Sequence, residues 1–432
     1  MTLIFDIGKT NKKALVFDKD FHVLDEQQTV FDEIGDIDGD PTDDAVKIEA
    51  WMKKILRGYK KAEISKINFA TYGATIAHLD AKGKLLATPF NYLKKIDPLT
   101  LPSSSRLGGT VKSAFLSENG GSSAFCTATA SPDLDCLLNS GFQLYWLKKE
   151  RPEFFSKIKT TLHLPQYFSY VLTKQLASEY TSIGSHTMLW DFHRKTYHNW
   201  VEKEGISRLF PKILPIKTTF QGFKTLGRFE VGIGIHDSSA ALLPYLAREK
   251  KPFLLLSTGT WSICLNPFNT EPLTAEEFAN DCLFYMRPDG ATVKASRLFL
   301  GKIHDEAVEK LANQFHQKPE ATREIRFNNE IFSEILSKGL PSERGGKNKG
   351  NCETLTEAYH ILIHDLIKIQ VGKIKLAAGS VAFEKIIIDG GFAKNDLYLT
   401  MLKRALPTVK IEPSDMPQGT ALGAALACST HF

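Results

Sequence analysis

His236-Asp237-Ser238, preceded by Gly234-Ile235 and followed by Ser239-Ala240, sets one carboxylate just after a glycine-punctuated apolar segment. Downstream, Leu256-Ser257-Thr258-Gly259-Thr260-Trp261-Ser262 interrupts an apolar run with a Gly-Thr turn. An aspartate able to take a proton, close to backbone N–H groups able to hold phosphate oxygens, is suited to moving a phosphoryl group onto a hydroxyl. That chemistry asks for positioning and charge neutralisation more than for covalent catalysis. Asp237 is the candidate base and His236 a candidate contact to a substrate hydroxyl. Asp237 could equally be a helix N-cap, and the two roles are compatible, because a helix start also puts the residue at the edge of a cleft.

A related turn opens the chain. Gly8-Lys9-Thr10 is not the end of a P-loop, since Leu3 stands where such a loop needs a glycine. What remains is Asp6-x-Gly8-x-Thr10-Asn11, a pattern for a strand, a turn and a second strand. Its backbone N–H groups and the Thr10 and Asn11 side chains could hold phosphate oxygens, and Asp6 could orient a magnesium ion through water. One such hairpin alone can be plain structure; a second one at Ser257-Thr258-Gly259-Thr260 lets two turns grip one nucleotide tail. Asp389-Gly390-Gly391, ending an apolar strand ahead of Asn395, lets backbone approach a flat ligand closely, although glycines also mark strand-to-helix turns without any ligand.

Alternating strands and helices must position these groups. Strands are expected at residues 2–7, 14–18, 21–30 and 67–73, with a helix over 43–61 carried by Ala45, Ile48, Trp51, Met52 and Ile55. Helical text covers 141–148 and 165–173, where aromatics recur every three or four residues as core. A second α/β unit begins near residue 225. Its strands at 253–257 and 261–265 repeat the opening hairpin, and are followed by a helix over 354–376, a strand at 385–389, a helix from 395 to 405, a strand at 409–413 and a small-residue helix at 419–426. The echo suggests duplicated halves facing each other, with lobes at 1–225 and 226–432. Residues 101–135, rich in Ser, Gly, Thr and Pro, are expected to form a long loop, either a flap or a disordered segment.

The 432 residues suffice for two or three domains. A net charge of +5 is spread over lysines that come singly or in pairs, such as Lys12-Lys13 and Lys53-Lys54. A nucleic-acid partner would cluster them on one face, so none is expected. The six cysteines have no C-x-x-C spacing and no secretory segment precedes the first strand, as expected of free thiols in a cytoplasmic protein. No apolar run reaches the roughly 18 residues of a membrane helix, so no membrane partner is expected.

Together these segments resemble the FGGY family of carbohydrate kinases, with the actin-like (ribonuclease H-like) fold, and within it the rhamnulokinase branch. The likeness rests on Asp6-Ile7-Gly8-Lys9-Thr10, Gly141-Phe142-Gln143-Leu144-Tyr145-Trp146-Leu147, Leu164-Pro165-Gln166-Tyr167 with Glu179-Tyr180-Thr181, Gly234 to Ala240, Ser257 to Ser262, and Gly390-Gly391-Phe392-Ala393-Lys394-Asn395. It implies two α/β lobes with ATP and magnesium in the cleft between them, and transfer of the terminal phosphate to a ketose or polyol hydroxyl. By motif match it implies Asp237 as base, Gly73, His236 and Ser238 as sugar contacts, and Asp6 with Asp237 on the metal through water. ATP contacts would come from Gly8, Lys9, Thr10, Asn11, Gly259, Thr260, Gly390, Gly391 and Asn395. The sequence departs from that branch where Asn91-Tyr92-Leu93-Lys94 lacks an Arg-Asp pair, where Thr75 replaces an acid, and where Thr400 replaces a glutamine. A deoxyketose such as L-rhamnulose or L-fuculose is the expected substrate, with xylulose, ribulose, glycerol or a non-catalytic sugar or nucleotide sensor as alternatives. The oligomer is left open between monomer and homodimer.

Overall fold

A computed structural model describes residues 1–59, 63–94, 126–132, 136–338, 352–416 and 418–429. Most of the expected 101–135 loop lies outside the described residues; within it, residues 126–129 form a helical turn.

The chain opens as the hairpin of β1 (Thr2–Ile7) and β2 (Lys12–Phe17), with β3 (Val23–Thr29) added at the edge. Asp44 then caps α1 (Ala45–Gly58) by accepting the Lys47 N–H at 2.9 Å, and Ala45, Ile48, Met52, Ile55 and Leu56 bury one stripe against the sheet. Next comes β4 (Lys66–Thr71), parallel to β1 and buried along nearly its whole length, as a central parallel strand must be. β5 (Ile76–Leu79) pairs with β6 (Thr160–His163), which lies beyond α2 (Ser140–Glu150) and leads straight into the buried α3 (Leu164–Thr173). The aromatics Tyr167, Phe168 and Tyr170 of α3 are core, as their spacing predicts.

β7 (Thr219–Gln221), β8 (Glu230–Gly232) and β9 (Ile235–His236) complete the first sheet, in the order β7-β8-β4-β1-β2-β3, with β9 also on β4. The expected boundary after residue 225 therefore falls inside this sheet. Parallel pairing of Val231 with Ile67 and of Ile235 with Ala70 carries the first lobe to His236, where α4 (Asp237–Arg248) begins.

The second sheet is built on β10 (Phe253–Thr258), β11 (Ser262–Asn266), β12 (Cys282–Met286) and β13 (Thr292–Leu298). After α5 (Leu300–Gln314) and α6 (Leu355–Ala378) come β14 (Lys385–Gly390), α7 (Asp396–Ala405) and β15 (Lys410–Pro413). Its order is β12-β13-β11-β10-β14-β15. The β10–β11 hairpin is antiparallel and β10–β14 parallel, the same pattern as β1–β2 with β1–β4. Duplication is thus real at the level of strand pairing.

The last helix, α8 (Gly419–Ala427), crosses back. Ala421, Ala424, Ala425 and Ala427 share a core with Ile4, Leu15 and Ala70 of the first lobe, and Asn68 of β4 donates to the Ala424 carbonyl at 2.8 Å. Gly423 lies so close to the Ala240 carbonyl of α4 that a Cβ has no room. The small residues therefore serve helix-on-helix contact with α4 as well as packing on a sheet, and the interval 226–432 does not map onto one lobe.

Candidate active site

Asp237 stands at the first position of α4, at the seam where the first sheet ends. The approach is held from several sides. Gly234 adopts φ +82° and its α-carbon abuts Pro165, a conformation and a closeness that glycine alone meets without strain. Asn68 Oδ1 accepts the Gly234 N–H at 3.0 Å, and Gln166 Nε2 donates to the Ile233 carbonyl at 3.0 Å. Glu179, buried, accepts the N–H groups of Thr181 and Ser182 at 2.6 and 2.7 Å, and Thr181 Oγ1 then accepts the His236 N–H at 3.0 Å.

The Asp237 side chain is 30 % exposed. Burial by the cleft walls raises its pKa to about 6, while the N–H and hydroxyl of Ser238, at 2.6 and 3.2 Å, pull the other way. Ser238 thus donates its hydroxyl to the carboxylate. His236 Nε2 lies 3.2 Å from Asp237 Oδ1 and 3.1 Å from Ser185 Oγ, and its ring packs on Tyr285 at 5.3 Å. Burial drops its pKa to about 3, so the ring is neutral and its 3.2 Å approach to Asp237 is not an ion pair. Gly73 closes this wall: a Cβ there would meet Ser185 Oγ at 2.5 Å and His236 Nε2 at 2.9 Å.

Asp6, half-buried on β1, faces the same cleft. Burial first, and the Asp237 charge second, push its pKa to about 7, against a partial offset from Lys13. The two carboxyls titrate as a coupled pair, both displaced upward from the ordinary carboxylate range. Two acids held short of water, with Lys13 only a partial offset at Asp6, are an oxygen donor set that suits a magnesium ion, so the residues fit the expected metal.

The turn after Asp6 is less open than its sequence suggests. Thr10 and Asn11 are exposed, and Asn11 Oδ1 accepts from Gln28 at 3.1 Å. The Lys9 ammonium pairs with Glu33 at 2.5 Å and Asp43 at 3.5 Å. Lys12 is fully buried, bound to Asp43 at 2.7 Å and to the Lys9 carbonyl at 2.8 Å. The Lys9 ammonium and carbonyl are thereby both engaged within the protein.

The second turn opens directly onto a cavity of about 670 Å³. Gly259 and Thr260 border it together with Gly391 and Asn395. Asn395 caps α7 by accepting the Tyr398 N–H at 3.0 Å and donates to Tyr359 at 2.9 Å, so its amide shapes the wall with both ends engaged. Gly390 does not border the cavity. With φ +88° and its α-carbon against the Thr258 carbonyl, it ties β14 to β10 behind the turn.

His304, Tyr359, Arg323 and Arg326 also line this cavity and escape sequence reasoning, since they come from α5, α6 and the segment 319–326 between them, with no shared motif. His304 bonds Tyr359 at 3.1 Å, continuing the network from Asn395. Glu179 and Asn68 are likewise invisible as site residues in the sequence, because they act through the backbone of residues 181 and 234.

Among the described residues no helix is long and apolar enough to cross a membrane. Residues 1–234 match the N-terminal domain of the FGGY family of carbohydrate kinases. The rhamnulokinase of Halalkalibacterium halodurans is 31 % identical over 135 residues, covering 29 % of this chain and 28 % of that protein. The L-fuculokinase of Salmonella typhi is 23 % identical over 288 residues, covering 61 % and 56 %. These alignments thus span about half or less of the curated relatives' own length. In fold, a carbohydrate kinase from Novosphingobium aromaticivorans superposes with a TM-score of 0.79 at 24 % identity, covering 99 % of this chain and 90 % of that one. With more than half of its length in the family's N-terminal domain, the chain belongs to the FGGY family of carbohydrate kinases.

Proposed function

We propose that this chain is an ATP-dependent kinase that phosphorylates a hydroxyl of a ketose, with a deoxyketose such as L-rhamnulose or L-fuculose as the first choice. The observation that carries this reading is the placement of Asp237: a half-buried carboxylate with its pKa raised to about 6, at a helix start, sharing a cleft with Asp6. Ionised near neutral pH and tuned toward it, Asp237 is fitted to accept the proton of an attacking hydroxyl. Gly73 and His236 form the wall beside it against which a sugar can lie, and Ser238 orients the carboxylate. The alignments to a rhamnulokinase and an L-fuculokinase favour the deoxyketose.

The cavity beyond Gly259 and Thr260 has room for a nucleotide. Its phosphates would lie along the exposed turn 259–260, opposite the turn 8–11, with the adenosine toward Gly391 and the wall held by Asn395 and Tyr359. A magnesium ion held through water by Asp6 and Asp237 would neutralise charge on the phosphates when bound. Lobes at residues 1–236 and 237–418, with α8 returning to the first lobe, would bring the two sides together, so that closure excludes water.

Purified protein assayed for ADP release over a panel of ketoses, polyols and glycerol tests the reading. Turnover is expected to be highest on a six-carbon deoxyketose. Turnover confined to xylulose, ribulose or glycerol moves the substrate assignment, and none on any member of the panel sinks the kinase reading.

A further inference from the structure

His163 is out of keeping with the rest of the buried polar groups around the cleft. It ends β6 with 3 % of its surface exposed, and neither ring nitrogen has a hydrogen-bond partner. The ring is stacked on Phe210, centroids 5.5 Å apart and planes at 19°, so packing sets its plane. Burial, helped by neighbouring His236, lowers its pKa to about 3 and keeps it neutral. A neutral imidazole still presents one N–H donor and one lone pair, and an interior that leaves both unmade forfeits their solvation.

The ring borders a cavity of about 10 Å³, shared with Gly73, Thr75, Ser182 and His236. Thr75 Oγ1 and Ser182 Oγ are also without a hydrogen bond, at 3 % and 5 % exposure. Tyr72 and Glu179 come within hydrogen-bonding reach of Thr75 and Ser182 respectively, but neither approach has the alignment of a formed hydrogen bond. Three buried residues with unmade hydrogen bonds thus meet at one small space.

The size and the lining limit what that space can take. Its volume is that of about one water-sized sphere, the least that holds a water molecule. A cation would find no carboxylate among the lining residues and an anion no ammonium or guanidinium. A methyl group would fill the space and leave every polar group unpaired. A neutral hydroxyl-type oxygen both donates and accepts, which the imidazole and two hydroxyls can match.

We propose that this cavity is a single-oxygen site, in which His163, Thr75 and Ser182 bind one water molecule, or a hydroxyl of the substrate that takes its place, beneath Gly73 and His236. The oxygen joins the ends of β4 and β6, the turn at 180–183 and β9, the segments that make the floor of the cleft next to Asp237. The site rests on the cavity and its unpaired groups; only the substrate-hydroxyl occupant rests on the proposed function, and the free-protein structure tests the site without it.

A high-resolution crystal structure of the free protein is the test, repeated with a ketose bound and paired with melting curves. One isolated peak within hydrogen-bond distance of His163 and at least one of the two hydroxyls is expected, and an empty cavity overturns the proposal. In the ketose complex, a persisting peak identifies water, whereas a sugar hydroxyl in its place identifies the substrate as the source; either outcome supports the site. Thr75→Val keeps the side-chain shape and Ser182→Ala removes only the hydroxyl. A fall in Tm of about 2 °C or more in either variant is expected. If neither falls, the hydroxyls are true orphans whose loss costs nothing, and the proposal fails.

Discussion

The two hairpins repeat one strand pattern and have diverged in what they offer. Asp6 on β1 lies beside Ala70 of the parallel neighbour β4; its counterpart Ser257 on β10 lies beside Asp389 of β14. The carboxylate has thus moved from the hairpin strand to the adjoining one. The first turn is closed in by Lys9, Lys12 and Asp43, so its charge is consumed internally. The second carries no charge at all and stays exposed over the large cavity. Duplicated topology supplies two equivalent platforms, and side-chain neutralisation decides that one orients acids while the other opens to a ligand.

The largest expected effect strikes the junction between the platforms. Asp237→Asn is expected to lower turnover at least about 10²-fold in steady-state assays while nucleotide binding, read by calorimetry, is retained. Undiminished turnover would remove Asp237 as the base. The same group should govern the pH profile. A raised pKa means the base form is lost as pH falls through about 6, so turnover should drop about tenfold for each unit below that value; a midpoint near pH 4 would contradict the burial argument.

Within the second platform, neighbouring glycines should separate. Gly390→Ala drives a Cβ into the Thr258 carbonyl at φ +88° and is expected to cost about 1–3 kcal/mol in denaturant unfolding. Gly391→Ala has open space around its Cβ and should leave stability within about 0.5 kcal/mol. Equal losses would mean that the turn is not held as described.

Asp6 offers a test with the opposite sign. Its folded pKa of about 7 lies above the ordinary value of 3.8, so the folded chain binds this proton more tightly than the unfolded one. Stability from this group grows as pH falls from about 7 toward 4, and the ionised form is a burden at higher pH. Asp6→Asn should therefore raise Tm at pH 8 by about 3 °C, with the gain shrinking toward pH 4. A lower Tm at pH 8 would refute it. The smallest effect is expected at Lys9: with its ammonium tied to Glu33 and Asp43, Lys9→Ala should change the KM for ATP less than about threefold, against about tenfold for Thr260→Ala in the open turn.

Much of this was legible in the chain itself. Continuous apolar runs and helical spacing place β1, α1, β4, α3, β10, α6, β14 and α8 close to where they form, because a buried strand or helix must carry its apolar residues in the sequence. Asp6, Gly73, Asp237 and the turn at 259–260 stand out for the same local reason: a strand that ends in Gly, Asp or Thr writes its turn chemistry in neighbouring letters.

Only the tertiary structure decided the rest. That Lys9 is spent on Glu33 and Asp43, that Gly390 braces β10 while Gly391 faces the cavity, that α8 returns to the first lobe, and that His163 lies unpaired beneath His236 are all contacts between residues far apart in the chain. Charge neutralisation, close backbone approach and desolvation depend on which groups meet across space. A linear pattern names the groups that can do chemistry; packing determines which of them are left free to do it.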